Sequence, residues 1–242
     1  MDLGIAGRVA LVTAASKGLG RASAMALAEE GCRVAICARG EDALRDAEAA
    51  IAATGAEVLA ITADVTDPSA PARLVDATVE RFGGLDIVVA NAGGPPPVRA
   101  LDVTDDQIAA AVNANLTTSV RLVRAAVPHM RRGGWGRVCL ITSGSIKQPI
   151  PDLALSNLAR TGLWSWAKTL SRDLAGEGIT VNTAAPGLHA TDRMKELGGR
   201  GDVRLGDPAD FGRVVAFLCS QPAAYVTGAA LQVDGGATVG LL

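Results

Sequence analysis

The chain is expected to fold as one α/β domain, residues 1–242, around a doubly wound parallel sheet of about seven strands. Three observations predict this. Short runs of Val, Ile, Leu, Ala and Cys recur along the chain and are apolar almost throughout, the pattern of strands covered on both faces. Longer segments of helical character separate them. No internal repeat or low-complexity linker divides the chain, and right-handed crossovers then gather the loops after the strands on one edge of the sheet.

The elements follow in order. A strand over 8–13 leads through a glycine turn into a helix over 19–30, and strand 33–38 into helix 41–54. Strand 57–62 precedes helix 69–82, and strand 85–90 ends in the rigid loop Gly93-Gly94-Pro95-Pro96-Pro97, which is a loop and not a domain boundary. A long helix over 104–130, strand 137–142, helix 152–175, strand 179–184, helix 208–220 and strand 230–233 complete the pattern.

Composition narrows function. Hydrophobic residues make up 49% of the 242, charged residues 20%, and the net charge is −2, which describes a well-cored domain and not a disordered chain. No strongly basic face is implied, and aromatics at 3% leave few rings for stacking bases, so a nucleic-acid partner is not expected. No run of about 18 apolar residues suggests a membrane span. The start Met1-Asp2-Leu3-Gly4 has no secretory pattern, and Cys32, Cys37, Cys139 and Cys219 form no CxxC pair, so buried reduced thiols in a cytoplasmic protein are expected.

The first strand runs into Thr13-Ala14-Ala15-Ser16-Lys17-Gly18-Leu19-Gly20 and then a helix. Glycines there let backbone amides approach a pyrophosphate at the helix N-terminus, where free N–H groups and the helix dipole favour negative charge. A glycine cluster alone is weak evidence; placed between strand and helix at the start of an alternating pattern, it is much stronger.

With these features the chain resembles the short-chain dehydrogenase/reductase family, in particular its β-ketoacyl-carrier-protein-reductase-like members, over nearly its whole length. Thr13, Gly18 and Gly20 match the family's TGxxxGxG, with Ala14 in place of the first glycine. That swap is expected to be tolerable only if the backbone at Ala14 keeps φ negative. Asp64-Val65, Asn91-Ala92-Gly93, and Pro186-Gly187 with Thr191 match the family's adenine, post-strand and nicotinamide loops. The resemblance implies a Rossmann-type fold and a dinucleotide held by Thr13, Ser16, Lys17, Gly18, Leu19, Gly20, Arg39, Asp64, Val65, Asn91, Ala92, Gly93, Arg160, Pro186, Gly187 and Thr191. An enzyme preferring NAD usually ends its second strand in an acid; here Ala38 stands there, Arg39 follows and Lys17 adds a second cation, which points to NADP(H).

The family uses an Asn, Ser, Tyr, Lys set. By resemblance Asn115 and Ser143 take the first two places, while Ser156 stands at the tyrosine position and Arg160 at the lysine position. The four-residue step from Ser156 to Arg160 keeps both on one helix face. The chain's single tyrosine, Tyr225, lies far along the sequence. A phenol titrates near 10 and an alcohol resembles water at about 15.7, so Ser156 is worse at moving a proton by roughly 6 units, about 8 kcal/mol. It can still donate a hydrogen bond, and Arg160 can bind the ribose or an anionic substrate but cannot trade a proton near neutral pH.

Three residues are candidates for the missing acid: Lys147, Asp152 at the start of the next helix, and above all His189, with water as the alternative. His129 reads as a cation at a helix C-terminus. The expected activity is hydride transfer between NADP(H) and a small carbonyl or alcohol substrate. A nucleotide-binding pseudoenzyme and a non-redox lyase or isomerase using the same cleft are the alternatives. Apolar character on several faces of helices 104–130 and 152–175 predicts a homodimer or homotetramer, and residues 191–206, with Met194 and Leu197, are expected to cover the substrate.

Overall fold

A computed structural model of the protein describes residues 1–196 and 204–240, with no side-chain description for residues 195 and 196. Among the described residues, seven strands form one parallel sheet in the order β3-β2-β1-β4-β5-β6-β7. They are β1 (Val9–Val12), β2 (Arg33–Ala38), β3 (Val58–Thr62), β4 (Ile87–Ala90), β5 (Gly136–Ile141), β6 (Ile179–Pro186) and β7 (Ala230–Val233). β1, β4 and β5 are buried at every position, because helices cover both faces. The sheet order reverses between β1 and β4, so the loops after these two strands open a crevice at their carboxyl ends.

The helices are α1 (Gly18–Glu29), α2 (Glu41–Ala52), α3 (Ala70–Phe82), α4 (Asp105–Val112), α5 (Thr118–Gly133), α6 (Ala154–Asp173), α7 (Asp192–Glu196) and α8 (Pro208–Leu218). One core, with Val12, Ala24, Leu27, Ile36, Phe211 and Val215, packs α1 and α8 on one face of the sheet. The other, with Leu11, Val88, Leu122, Val123, Leu140 and Leu163, packs α3, α5 and α6 on the opposite face.

The single helix expected over 104–130 is interrupted. α4 begins on a reciprocal cap, with the Thr104 hydroxyl accepting from the Gln107 amide and the Gln107 side chain accepting from the Thr104 amide. At Asn113–Thr117 the backbone widens into a π turn before α5 resumes. The Thr118 hydroxyl donates to both Asn113 O and Val65 O, and Asn113 Nδ2 donates to Thr66 O, so the turn is tied to the loop after β3. Such bulges often mark functional positions, and this one carries Asn115. Asp152 was expected to open the next helix; instead it lies outside α6 at φ 61°, and its carbonyl accepts from Val98 N at 2.7 Å.

The sheet's other end is closed by cations. Arg137, 2% exposed, donates to Ser220 O, Gly136 O and Gly178 O, and its guanidinium lies 4.1 Å from the Trp135 ring centre. Arg8 also packs on that indole, at 4.0 Å, while pairing with Asp86 at 3.1 Å. All four cysteines are buried and free. Burial pushes the Cys32 thiol up to about 12 and Cys37 to about 11, and hydrogen bonding with Cys139, then burial, raises Cys219 well above an ordinary thiol. No helix among the described residues is long and apolar enough to cross a membrane.

Candidate active site

The crevice is an open groove of about 640 Å³ running over the carboxyl ends of β1, β2 and β4. Ser16 and Lys17 border it on the glycine turn, Arg39 beyond β2, Asp64 and Val65 after β3, Ala92 and Gly93 after β4, and Asn115 on the π turn. α1 enters the groove through Lys17, whose backbone is extended; no side chain caps this helix, and no acid lies in its first turn. Its leading N–H groups are therefore available to an anion.

The turn itself is held by a short network. The Thr13 hydroxyl donates to Asn91 O at 2.7 Å and accepts from Asn91 N at 2.9 Å, and Asn91 Nδ2 donates to Ala14 O at 3.1 Å. Gly20 is required by space, since a Cβ there would fall 2.5 Å from Ala14 O and 2.6 Å from Asn91 Nδ2. Ala14 corrects the sequence-based condition on this residue: its φ is +47°, not negative. The alanine occupies the left-handed region that a glycine would enter without strain, fixed there by the bond from Asn91.

Further positions meet around this turn. Gly18 faces Thr191, whose Cγ2 lies 3.5 Å from the position a Cβ would take, which brings the loop after β6 beside the glycine turn. Gly187, following Pro186, packs so closely on Asp234 that a Cβ would lie 2.7 Å from its Cα. The Asp64 carboxylate accepts from the Thr66 amide and hydroxyl, and these bonds, with nearby Arg39, hold it below the usual aspartate range.

Asn115 is 2% exposed, and its Nδ2 donates weakly to Ala111 O at 3.4 Å, while its Oδ1 has no partner among the described residues. A buried acceptor left open beside the groove is where a water or ligand donor is expected. The Ser143 hydroxyl accepts from Ser145 N at the end of β5. Ser156 and Arg160 lie one helical turn apart on α6, each 7% exposed. Arg160 Nη1 donates to Ile141 O and Thr142 O, and Nη2 donates to Ala92 O, so the guanidinium ties α6 to the ends of β5 and β4. Burial, then the charge of Arg193, pulls its pKa down to about 10, which leaves it a cation at neutral pH.

The expected acids are engaged elsewhere. His189 is 6% exposed; its ring meets Phe211 edge-on at 5.3 Å, Nδ1 lies 3.2 Å from Gly187 O, and a Cβ on Gly206 would fall 2.9 Å from its other edge. It serves as packing between the loop after β6 and α8, not as an acid facing the groove. The Lys147 ammonium sits 4.3 Å from the Trp164 ring centre, and Asp152 faces Arg99 at 4.0 Å. His129 is not the expected C-terminal cation either: burial and then Arg132 lower its pKa, and Arg132 lies 2.6 Å from its Nδ1. Tyr225 is fully exposed, away from the groove.

Arg193 is the residue the sequence left unremarked. From α7 its Nη2 donates to Pro95 O at 2.7 Å, and the guanidinium lies across Gly94, with Nη2 3.2 Å from the position of a Cβ. An arginine after Thr191 carries no motif, and only the folded chain sets it against the loop after β4. Met194 is buried at 6% exposure, whereas Leu197 and the rest of the covering segment through residue 203 lie outside the described residues.

A parallel sheet reversing at β1 and β4, with an uncapped helix after a glycine turn, defines a Rossmann-type α/β protein. The chain belongs to the short-chain dehydrogenase/reductase family, an oxidoreductase family. The family model described as Enoyl-(Acyl carrier protein) reductase matches residues 13–238. The chain is 34% identical over 244 residues to the human dehydrogenase/reductase SDR family member 4, covering 96% of this chain and 88% of that one. It is also 34% identical over 245 residues to the 3-oxoacyl-(acyl-carrier-protein) reductase of Vibrio cholerae, covering 97% and 98%. The L-sorbose reductase of Gluconobacter frateurii, solved with NADPH and L-sorbose, superposes with a TM-score of 0.90 at 31% identity over 97% of this chain and 98% of that one.

Proposed function

We propose that the protein is an NADP(H)-dependent oxidoreductase acting on a small carbonyl or alcohol compound, with Ser156 and Arg160 standing where its relatives carry tyrosine and lysine. The observation that carries the reading is the pair of cations, Lys17 and Arg39, lining the same groove as the uncapped start of α1, with Ala38 where a ribose-binding acid would lie. A guanidinium and an ammonium beside that turn suit a 2′-phosphate, and an acid there would repel it. Solved relatives with NADPH bound include the L-sorbose reductase and an actinorhodin polyketide ketoreductase.

The residues present fit such a cofactor. The amides at the start of α1 would take the pyrophosphate, Lys17 and Arg39 the 2′-phosphate, Asp64 and Val65 the adenine, and Thr191 with Pro186-Gly187 the nicotinamide amide. When bound, NADPH would supply the hydride for a carbonyl carbon. Ser143 and Ser156 then hold the carbonyl oxygen by donating hydrogen bonds, and Asn115 orders water through its open Oδ1. Water delivers the proton, since neither an alcohol nor a guanidinium releases one near neutral pH. Arg160 keeps a positive charge beneath the site, which favours the developing alkoxide.

Titration with NADPH and NADH, followed by a screen of carbonyl compounds, tests this. NADPH is expected to bind more tightly, and Ser156→Tyr with Arg160→Lys to raise turnover by about 10² to 10⁴ if it restores a general acid. No NADPH binding at millimolar concentration overturns the proposal. Turnover in the double variant alone would favour a nucleotide-binding protein without its own redox step, a reading the three carbonyl bonds of Arg160 also support.

A further inference from the structure

The loop that leaves β6 is tied down by its own backbone. Gly187 N donates to Val233 O at 2.9 Å, and Thr191 N donates to His189 O at 2.8 Å. Ala190 N donates to Gly206 O and Gly206 N donates to Leu188 O, both at 2.9 Å, so residues 188–190 pair with Gly206 just ahead of α8. Thr191 thereby comes to rest beside the glycine turn, its Cγ2 3.5 Å from the position of a Cβ on Gly18.

One side chain completes this frame. His189 is 6% exposed, and its Nδ1 lies 3.2 Å from Gly187 O. A carbonyl oxygen only accepts, so Nδ1 carries the proton and donates. No other group among the described residues donates to Gly187 O. The rest of the ring is wedged: Phe211 meets it edge-on at 5.3 Å, and a Cβ on Gly206 would fall 2.9 Å from both Cδ2 and Nε2. Gly206 is thus bare where the imidazole needs room. Phe211 belongs to the core that packs α1 and α8, so the ring fastens the loop to the packed interior of the domain.

We propose that His189 is a positioning residue for the nicotinamide end of the cofactor: by donating to Gly187 O while wedged against Phe211 and Gly206, it holds Gly187–Thr191 in the shape that receives the carboxamide. A loop shaped in advance spares the cofactor the cost of ordering it, and that saving is felt as affinity at this end of the molecule alone. Thr191 and Pro186-Gly187 make the contact, and His189 acts through them. The inference rests on the NADP(H) reading of the groove and adds to it a residue whose ring is turned into the protein.

Calorimetric titration of parent and variants with NADPH, and with 2′-phospho-ADP-ribose, which is NADPH without its nicotinamide, tests the inference. His189→Leu keeps bulk and removes the donor; it should weaken NADPH by about five-fold or more and leave 2′-phospho-ADP-ribose within about two-fold of the parent. His189→Asn, whose side-chain amide falls at the place of Nδ1, should restore most of the loss. His189→Gln, whose amide reaches the place of Nε2, should not. Hydrogen exchange in the free protein should quicken at Ala190 and Thr191 in His189→Leu and stay slow in His189→Asn. Equal loss of both ligands in His189→Leu, unchanged binding of both, or equal behaviour of His189→Asn and His189→Gln overturns the inference. If thermal melts show that His189→Leu does not fold, the contrast between His189→Asn and His189→Gln decides alone. Failure of the underlying reading looks different: the parent binds neither ligand, and the inference falls with it. Binding of NADPH with no carbonyl reduced removes the redox step and leaves the positioning result standing.

Discussion

Replacing Ala14 by glycine should make the protein more stable, against the usual direction for a substitution that removes a side chain. The alanine sits at φ +47°. For an L-residue this region costs about 1–2 kcal/mol. Two terms oppose the gain. Glycine widens the unfolded ensemble at a cost of about 0.4–1 kcal/mol. Losing a half-buried methyl group forfeits about 0.4 kcal/mol, half the value of a buried carbon. With each term at mid-range the balance is a stabilisation of about 0.4 kcal/mol, or about 1 °C in Tm for a chain of this size. The backbone is not expected to relax in response, because Asn91 Nδ2 holds Ala14 O and Gly20 packs beneath it. Urea unfolding of parent, Ala14→Gly and Ala14→Val at 25 °C reads the effect, with Ala14→Val expected to lose about 1–3 kcal/mol because a β-branched residue is poorly tolerated there. A glycine variant less stable than the parent, at unchanged m-value, would refute the argument that this turn stores strain.

Other outcomes follow from the same geometry. Arg39→Asp should weaken NADPH binding by about 10- to 100-fold while sparing NADH, since one charge-assisted bond to phosphate contributes about 1.5–3 kcal/mol; equal loss for both nucleotides would contradict its assignment to the 2′-phosphate. A thiol-specific chromogenic reagent at pH 7 should find almost no reactive cysteine in the native protein and four after denaturation, because burial holds these groups in the protonated form. The Asp64 carboxyl is lowered in the folded state, from 3.8, by the Thr66 amide and hydroxyl and by Arg39. Its contribution to stability is thus present above pH 3.8 and lost as acid titrates the native carboxylate, so the stability gap between parent and Asp64→Asn should close on acidification. A gap that persists at low pH would assign the effect to something other than charge. Arg137→Met should cost about 3 kcal/mol by stranding the carbonyls of Ser220 and Gly136 and uncovering Trp135, which differential scanning calorimetry can measure.

The central strands were legible because they are covered on both faces and must be apolar at nearly every position; Val9–Val12 and Gly136–Ile141 are buried throughout. The glycine turn was legible for a related reason, since close backbone approach excludes a side chain at Gly20. The break at Asn113–Thr117 was not. The local sequence continues a helix well enough, and the π turn arises from bonds to Thr66 and Val65, 47 and 53 residues away. Asp152 likewise reads as a helix start until its carbonyl is claimed by Val98.

The candidate acids divide in the same way. Residue type alone made His189 attractive, but its direction is set by Phe211 and Gly206, which only the folded chain brings to it. By itself the sequence determined the doubly wound sheet, the glycine turn at its first strand and the absence of tyrosine at Ser156, because these depend on local pattern and residue identity. The tertiary structure alone decided that Ala14 adopts a left-handed backbone, that Arg160 is spent largely on strand ends, and that Arg193 lies across Gly94 on the loop after β4. Those outcomes depend on long-range hydrogen bonds and on charges meeting in space, which no local pattern encodes.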